Sequence, residues 1–181
     1  MNRIVENITS ILDSTGLSTV IDGNLNIGSF ELGSLEYELP GGVDYHMVLS
    51  NVGDAVVATG SVSADVEGEC VRCLERASVH VDSDIEGYFA ISEESNLEGM
   101  EEDEYEFVPE NGEVDLTDCV TSAVVVGMPT LFVCSEDCKG LCPKCGCNRN
   151  VESCDCSEQI DEFNPFSVLK GFFDEDGGER E

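Results

Sequence analysis

Between Cys134 and Cys156 the chain carries seven cysteines in 23 residues: Cys134, Cys138, Cys142, Cys145, Cys147, Cys154 and Cys156. Thiols at that density constrain the backbone more tightly than a hydrophobic pattern does, because they must be paired with one another or gathered around an ion. The N-terminal run Met1-Asn2-Arg3-Ile4-Val5-Glu6-Asn7 has acids and amides where a secretory leader needs a basic start and an unbroken apolar stretch. No segment approaches the roughly 18 consecutive apolar residues of a spanning helix. The expected location is the cytoplasm, with no membrane association, where ten cysteines serve as thiols or metal ligands rather than as a disulfide framework.

Cys142-Pro143-Lys144-Cys145-Gly146 has the form of a zinc knuckle. Two residues between the thiols let both sulfurs face one ion, and the glycine permits the tight turn behind them. A tetrahedral site needs two more thiolates, from Cys154 and Cys156, from Cys134 and Cys138, or from the distant Cys70 and Cys73. The first choice makes a compact loop like a small zinc ribbon, the last would staple a hairpin to the C-terminal segment, and eight thiols could hold two ions. The preferred reading is one structural Zn2+ on Cys142, Cys145, Cys154 and Cys156. Five of the eight basic residues, Arg72, Arg76, Lys139, Lys144 and Arg149, lie beside these motifs, where they offset thiolate charge and form the one cluster suited to touching phosphate or a partner. A redox dithiol is the competing reading of Cys142 and Cys145, but that chemistry sits at a helix N-terminus in a βαβ setting, and here Gly146 follows at once and thiols crowd both sides. An iron–sulfur cluster is a further alternative.

The rest of the chain reads as α+β: an antiparallel β-sheet with a few helices and a small C-terminal zinc-ribbon-like cysteine segment. Ile4, Ile8, Ile11 and Leu12 have helical spacing, with Gly16 as a stop. Phe30–Leu39 and Val43–Val52 read as strands separated by Pro40-Gly41-Gly42. The clearest alternation runs through Val56, Ala58, Gly60, Val62, Ala64 and Val66 and resumes at Val79, Val81, Ile85, Phe89 and Ile91, which predicts an antiparallel pair with Cys70 to Cys73 at its turn. From Glu93 to Glu113 there is no Lys or Arg, which favours a solvated acidic insertion. Asp115 and Asp118 then open a helix with an apolar stripe of Leu116, Val120, Ala123, Val124, Gly127 and Met128, ending at Pro129, with Cys119 on its buried side. Asn164 and Pro165 start a last short helix carrying Phe166, Leu169 and Phe173. The expected organisation is a core domain over 1–130 with its acidic insertion at 93–113, a cysteine-rich zinc-binding segment over 131–158, and a short helix with an acidic tail over 159–181.

The formal net charge is −31, from 39 acidic residues against 8 basic ones, a field that repels phosphate over most of the surface and attracts basic proteins. His46 and His80 lie in strand patterns, and neither a Ser, His and Asp arrangement nor a glycine-rich phosphate loop is present. No catalysis and no small-molecule substrate are expected.

Together these parts resemble the YceD family, the large ribosomal RNA subunit accumulation proteins. The matching pieces are Cys70-Val71-Arg72-Cys73-Leu74 between two strands, Asp115-Leu116-Thr117 opening a helix that ends at Met128-Pro129, the run Cys134 to Cys156 with Gly140-Leu141-Cys142-Pro143 at its centre, and Asn164-Pro165-Phe166-Ser167-Val168-Leu169. The resemblance implies a non-catalytic role in ribosome biogenesis that supports accumulation of large-subunit (23S) rRNA. The partner would be an rRNA precursor or a basic large-subunit ribosomal protein. The alternative function, read from the residues and not from the resemblance, is that the chain is itself a thiol redox protein using a CxxC dithiol. Cys147 departs from the pattern, standing where a small residue is usual, and leaves the choice of ligands open. The acidity favours a protein partner over RNA.

Overall fold

The computed structural model describes residues 3–92, 95, 100, 101 and 104–156. In chain order these form β1 (Val5–Asn7), the single turn α1 (Thr9–Leu12), β2 (Ser18–Leu25), β3 (Ser29–Leu32), β4 (Leu35–Glu38), β5 (Val43–Asn51), β6 (Ala55–Glu69), β7 (Arg76–Ala90), β8 (Glu106–Phe107), β9 (Glu113–Asp115) and α2 (Thr117–Gly127). The chain divides into two compact units, Met1–Cys138 and Lys139–Glu181.

The first unit is built on the hairpin of β6 and β7, paired without interruption from Ala55 opposite Ala90 to Glu69 opposite Arg76. β5 pairs with the first part of β6, and β2 with β5, both antiparallel. The hairpin of β3 and β4 joins β6 farther along, through Glu38 opposite Glu67. β8 adds to the outer side of β7 in parallel. One face of the sheet buries Met47, Leu49, Val56, Val62, Val66, Val81, Ile85 and Phe89, and α2 covers it with Leu116, Val120, Ala123 and Val124. The helix can lie close along β7 because each carries a glycine at the contact: a Cβ on Gly87 of β7 would meet the Cys119 sulfur at 2.5 Å, and one on Gly127 of α2 would meet Val81 and Ser83 at 2.7 Å.

The antiparallel sheet, the long hairpin with its cysteines at the turn and the helix after Asp115 are where the sequence places them. Four expectations need correction. The isoleucine spacing over Ile4–Leu12 predicts a helix, but Val5–Asn7 pairs with Glu113–Asp115 and only Thr9–Leu12 is helical. Ile4, Ile8 and Ile11 are buried all the same, so the periodicity reported burial rather than conformation. Phe30–Leu39 is not one strand: Gly33, at φ 67°, turns it into the β3–β4 hairpin, and β4 then pairs with β3 and β6 rather than with β5. β2 had no counterpart in the sequence reading, because as the edge strand it is exposed or half-buried on both faces up to Leu25 and shows no apolar alternation. Within the acidic stretch 93–113, Glu106–Phe107 joins the sheet and Gly112 accepts the Ile8 N–H at 2.9 Å, so its latter part is paired to the fold although most of its described residues are exposed. The helix expected after Asn164 lies outside the described residues.

Both histidines stand on the open face of the sheet beside aspartates: His46 with Asp22, and His80 between Asp65 at 2.7 Å and Asp82 at 3.3 Å. The hydrogen bond to Asp65 and then the charge of Asp82 raise the His80 pKa above its ordinary value. Its contribution to stability is therefore complete below the unfolded-state pKa and fades as pH rises through the higher folded-state value. A histidine titration followed by NMR should place His80 above 6.5, the ordinary value. A second expectation concerns Gly60, where any Cβ would collide with the His46 carbonyl oxygen across the β5–β6 pairing. Gly60→Ala should cost roughly 1–3 kcal/mol in chemical denaturation, whereas Gly41→Ala, which faces open space, should leave the midpoint nearly unchanged.

Candidate metal centres

At the tip of the β6–β7 hairpin, residues Cys70 to Glu75 close a tight turn. The Cys70 N–H donates to the Glu75 carbonyl at 2.9 Å and the Leu74 N–H donates to the Cys70 carbonyl at 2.9 Å. The same ring recurs in the second unit, where the Cys142 N–H donates to the Cys147 carbonyl at 2.8 Å and the Gly146 N–H donates to the Cys142 carbonyl at 2.8 Å. The two cysteine pairs thus sit on identical knuckles. The positive-φ position is Gly146 (75°) in one and Leu74 (61°) in the other. Leucine is disfavoured there by roughly 1–2 kcal/mol, so the Cys70-Val71-Arg72-Cys73 turn lacks the glycine signal that Cys142-Pro143-Lys144-Cys145-Gly146 carries in sequence.

Around the first knuckle the structure gathers Cys70, Cys73, Cys134 and Cys138, whose sulfurs all lie within 4.8 Å of one another. Phe132, 2% exposed, anchors the segment that delivers Cys134. Its ring packs edge-on against Tyr37 at 5.1 Å, both rings rest over Gly68, and its carbonyl accepts the Val71 N–H at 2.9 Å. Apolar burial of Phe132 thereby helps to hold Cys134 at the hairpin tip. Across the group, Cys70 and Cys138 stand 3.8 Å apart and Cys73 and Cys134 3.7 Å apart. These are far beyond the ~2 Å of a disulfide. They do match the ~3.8 Å edge of a tetrahedron whose centre lies ~2.3 Å from each sulfur, the zinc–thiolate distance.

The second group is Cys142, Cys145, Cys154 and Cys156, again with all sulfurs within 4.8 Å. Its scaffold is a short loop in which Leu141 and Asn148 form an antiparallel bridge, the Arg149 N–H donates to the Gly140 carbonyl at 3.0 Å, and the Asn150 side chain accepts the Lys139 N–H at 2.8 Å. No large apolar side chain of its described part is buried, and Val151 is 81% exposed. Cys147 lies outside the group, although its thiol is within hydrogen-bonding reach of Cys145 and Cys154.

Backbone N–H groups aimed at sulfur tune both groups. Burial opposes ionisation of Cys70, but donors at Cys134, Cys73 and Arg72 outweigh it and lower its pKa to about 6. In the second group the N–H groups of Cys145 and Lys144 lower Cys142 to about 6. Cys119 behaves differently: half-buried against Gly87, it is pushed up to about 11 by burial and then by Glu106 and Asp118.

The expected cation cluster is distributed over both units. Arg72 reaches back with Nη1 to the carbonyls of Glu136 and Cys138, each at 3.1 Å, so it braces the first group. Arg76 is held by Glu38 and Glu67. Lys139, Lys144 and Arg149 belong to the second unit, whose described residues include only Glu152 and Asp155 as acids.

The family described as large ribosomal RNA subunit accumulation protein YceD matches residues 58–173. An uncharacterized protein of Mycobacterium tuberculosis is 35% identical over 119 residues, covering 66% of this chain and 57% of that protein. An uncharacterized protein of Mycobacterium leprae is 32% identical over 133 residues, covering 74% of this chain and 60% of its own length. The chloroplastic large ribosomal RNA subunit accumulation protein YCED homolog 1 of Arabidopsis thaliana is 36% identical over 71 residues, 38% of this chain and 22% of that protein. The chain therefore spans less than two thirds of the curated relatives it matches. No solved structure matches it.

Two substitutions test the scaffolds apart from any ion. Phe132→Ala should lower stability by about 3–5 kcal/mol, since it removes a fully buried ring. Gly146→Ala has open space around its new methyl, so thermal denaturation of the second unit should show only the backbone cost of a positive φ, about 1 kcal/mol.

Proposed function

The chain belongs to the YceD family, and on that footing we propose that it is a non-catalytic ribosome biogenesis factor, supporting large-subunit rRNA accumulation and folded around two structural zinc ions. The observation that carries the metal reading is the pair of sulfur separations, 3.8 and 3.7 Å, that fit a tetrahedral Zn–S4 centre. Cys70, Cys73, Cys134 and Cys138 would hold one ion, and Cys142, Cys145, Cys154 and Cys156 the other. Zinc would supply no chemistry beyond cross-linking, because both donor sets are complete with four thiolates and leave no open position for water. In the second unit, read as a zinc-ribbon-like module whose described residues bury no large apolar side chain, binding energy would be largely folding energy. A thiol redox role would instead need one dithiol apart from other sulfurs, and each CxxC here has a second pair beside it.

The acidic surface supports docking to a basic ribosomal protein. Asp22, Asp44, Asp65, Asp82, Asp84 and Glu86 all lie on the exposed positions of β2, β5, β6 and β7. A second reading, contact with precursor rRNA, is favoured by Lys139, Lys144 and Arg149, which give the described part of the second unit a positive side-chain balance before the thiolates are counted. Arg76 suits neither contact as a free cation, since two glutamates already hold it.

Metal analysis of the untagged chain should find two zinc ions, falling to one in Cys142→Ser, Cys145→Ser or Cys70→Ser and staying at two in Cys119→Ala. Chelation should expose the second unit to protease while the β-sheet circular dichroism of the first persists. A metal-free, fully folded chain with reactive thiols would support the redox alternative and overturn this reading.

Crosslinking followed by gradient sedimentation should recover large-subunit precursor components. Changing the six sheet-face acids to amides should abolish that recovery, with Lys139, Lys144 and Arg149 changed to Glu having little effect. The reverse pattern would select RNA, and recovery of no precursor component by the unaltered chain would sink the assembly role.

A further inference from the structure

β4 and β6 share one register pair, Glu38 opposite Glu67, and beside it a groove of about 450 Å³ opens toward the tip of the β6–β7 hairpin. Leu35 and Leu74 give it an apolar lining, and Glu36, Glu38, Glu67 and Glu69 give it an acidic one. Arg76 lies among these acids, held by Glu38 and Glu67, whereas Glu36 and Glu69 make no ion pair among the described residues. Leu32 stands opposite Leu35 in the β3–β4 ladder and is 42% exposed, which extends the apolar surface next to Leu35.

The fold itself gives no reason for a leucine at position 74. Its φ of 61° disfavours any side chain, and at 59% exposure that side chain recovers little by burial. The second knuckle closes the same hydrogen-bonded ring with Gly146 at the equivalent place. Glycine would close the first ring at lower backbone cost, so Leu74 presents an apolar side chain to the groove against the preference of its own backbone.

We propose that this groove docks a basic amphipathic segment of a protein partner, with Leu74 as the apolar anchor. An apolar side chain of the partner packs on Leu35 and Leu74, and the Lys or Arg residues beside it pair with Glu36 and Glu69. The bridging of Glu38 and Glu67 by Arg76 is the same chemistry within the chain. Four glutamates against one arginine repel nucleic-acid phosphate and anionic lipid headgroups, and a second copy of a chain at −31 is repelled as well. The inference rests on the protein-docking reading above. Asp65, Glu67 and Glu69 alternate along one face of β6, so the acids of the groove continue those of the open sheet face. Charge on that face steers a basic partner, and the leucines supply the desolvated contact that acids alone lack.

The test uses the full chain and two synthetic peptides of equal charge, with affinity read by fluorescence anisotropy. One peptide carries leucine and lysine at the spacing of an amphipathic helix, and in the other serine replaces leucine. The leucine peptide should bind roughly tenfold tighter, the gain expected from burying about one leucine side chain. Leu74→Gly should erase that difference, while its denaturation midpoint stays level or rises because glycine suits the left-handed position. Changing Glu36 and Glu69 together to Gln should weaken both peptides. An undiminished difference in Leu74→Gly would overturn the groove and leave the protein-docking reading standing. A clear fall in the midpoint of that variant would overturn it too, by making Leu74 a packing residue of the chain itself. So would a Leu74-dependent dimer in sedimentation without peptide, or a short RNA oligonucleotide whose binding is lost in Leu74→Gly. Failure of both peptides to bind the unaltered chain would overturn the protein-docking reading together with the groove.

Discussion

The uninterrupted pairing of β6 with β7 supports nearly everything else in the first unit. Fifteen residues on each strand run in register to Glu69 opposite Arg76, and that register decides where the turn falls and which way Cys70 and Cys73 face. A slip of one residue would send every side chain to the other face of the sheet. It would also move Gly68 from beneath Tyr37 and Phe132, and with it the anchor that delivers Cys134 to the hairpin tip. The first group of thiols thus follows from hydrophobic packing and strand register, and its four sulfurs could hold an ion.

The second group rests on different physics. Its loop is stitched by backbone and asparagine hydrogen bonds, and its described residues bury no large apolar side chain, so the conformational entropy of ordering it has little hydrophobic burial to oppose it. Two cysteine groups with the same knuckle therefore rest on different supports: the first on a packed sheet, the described part of the second on hydrogen bonds within its own loop. Exposure follows the same division, since three cysteines of the first group are buried and Cys142 is the buried member of the second.

Charge is distributed in keeping with these roles. The open sheet face carries aspartates around both histidines, and Arg76 is absorbed by Glu38 and Glu67, so the first unit presents a negative surface despite its cations. Basic residues beside thiolate clusters ease the concentration of negative charge there, and Arg72, with Nη1 on two carbonyls next to the first group, shows how closely that support is built in. Among the described residues of the second unit, Lys139, Lys144 and Arg149 stand against Glu152 and Asp155, in contrast to the chain's net charge of −31.

By itself the sequence determined the antiparallel hairpin, the helix after Asp115 and the knuckle at Cys142, because strand alternation, an apolar stripe and a CxxCG turn are local patterns that need no distant partner. It also held all eight thiols and named the three ways of pairing them. It did not choose among them, and the preference for one site missed that the structure builds two groups, since Cys70 and Cys134 are 64 positions apart and their neighbourhoods are joined by tertiary contacts, the Phe132 packing on Tyr37 and Gly68 and the Arg72 bonds to the Glu136 and Cys138 carbonyls. The same limit hid β1, β2 and β8, whose short or two-sided strands are stabilised by partners distant in sequence rather than by a periodicity of their own. Leu74 shows the limit at a single residue: propensity argues against leucine in a left-handed turn, and the closed ring between Cys70 and Glu75 imposes it.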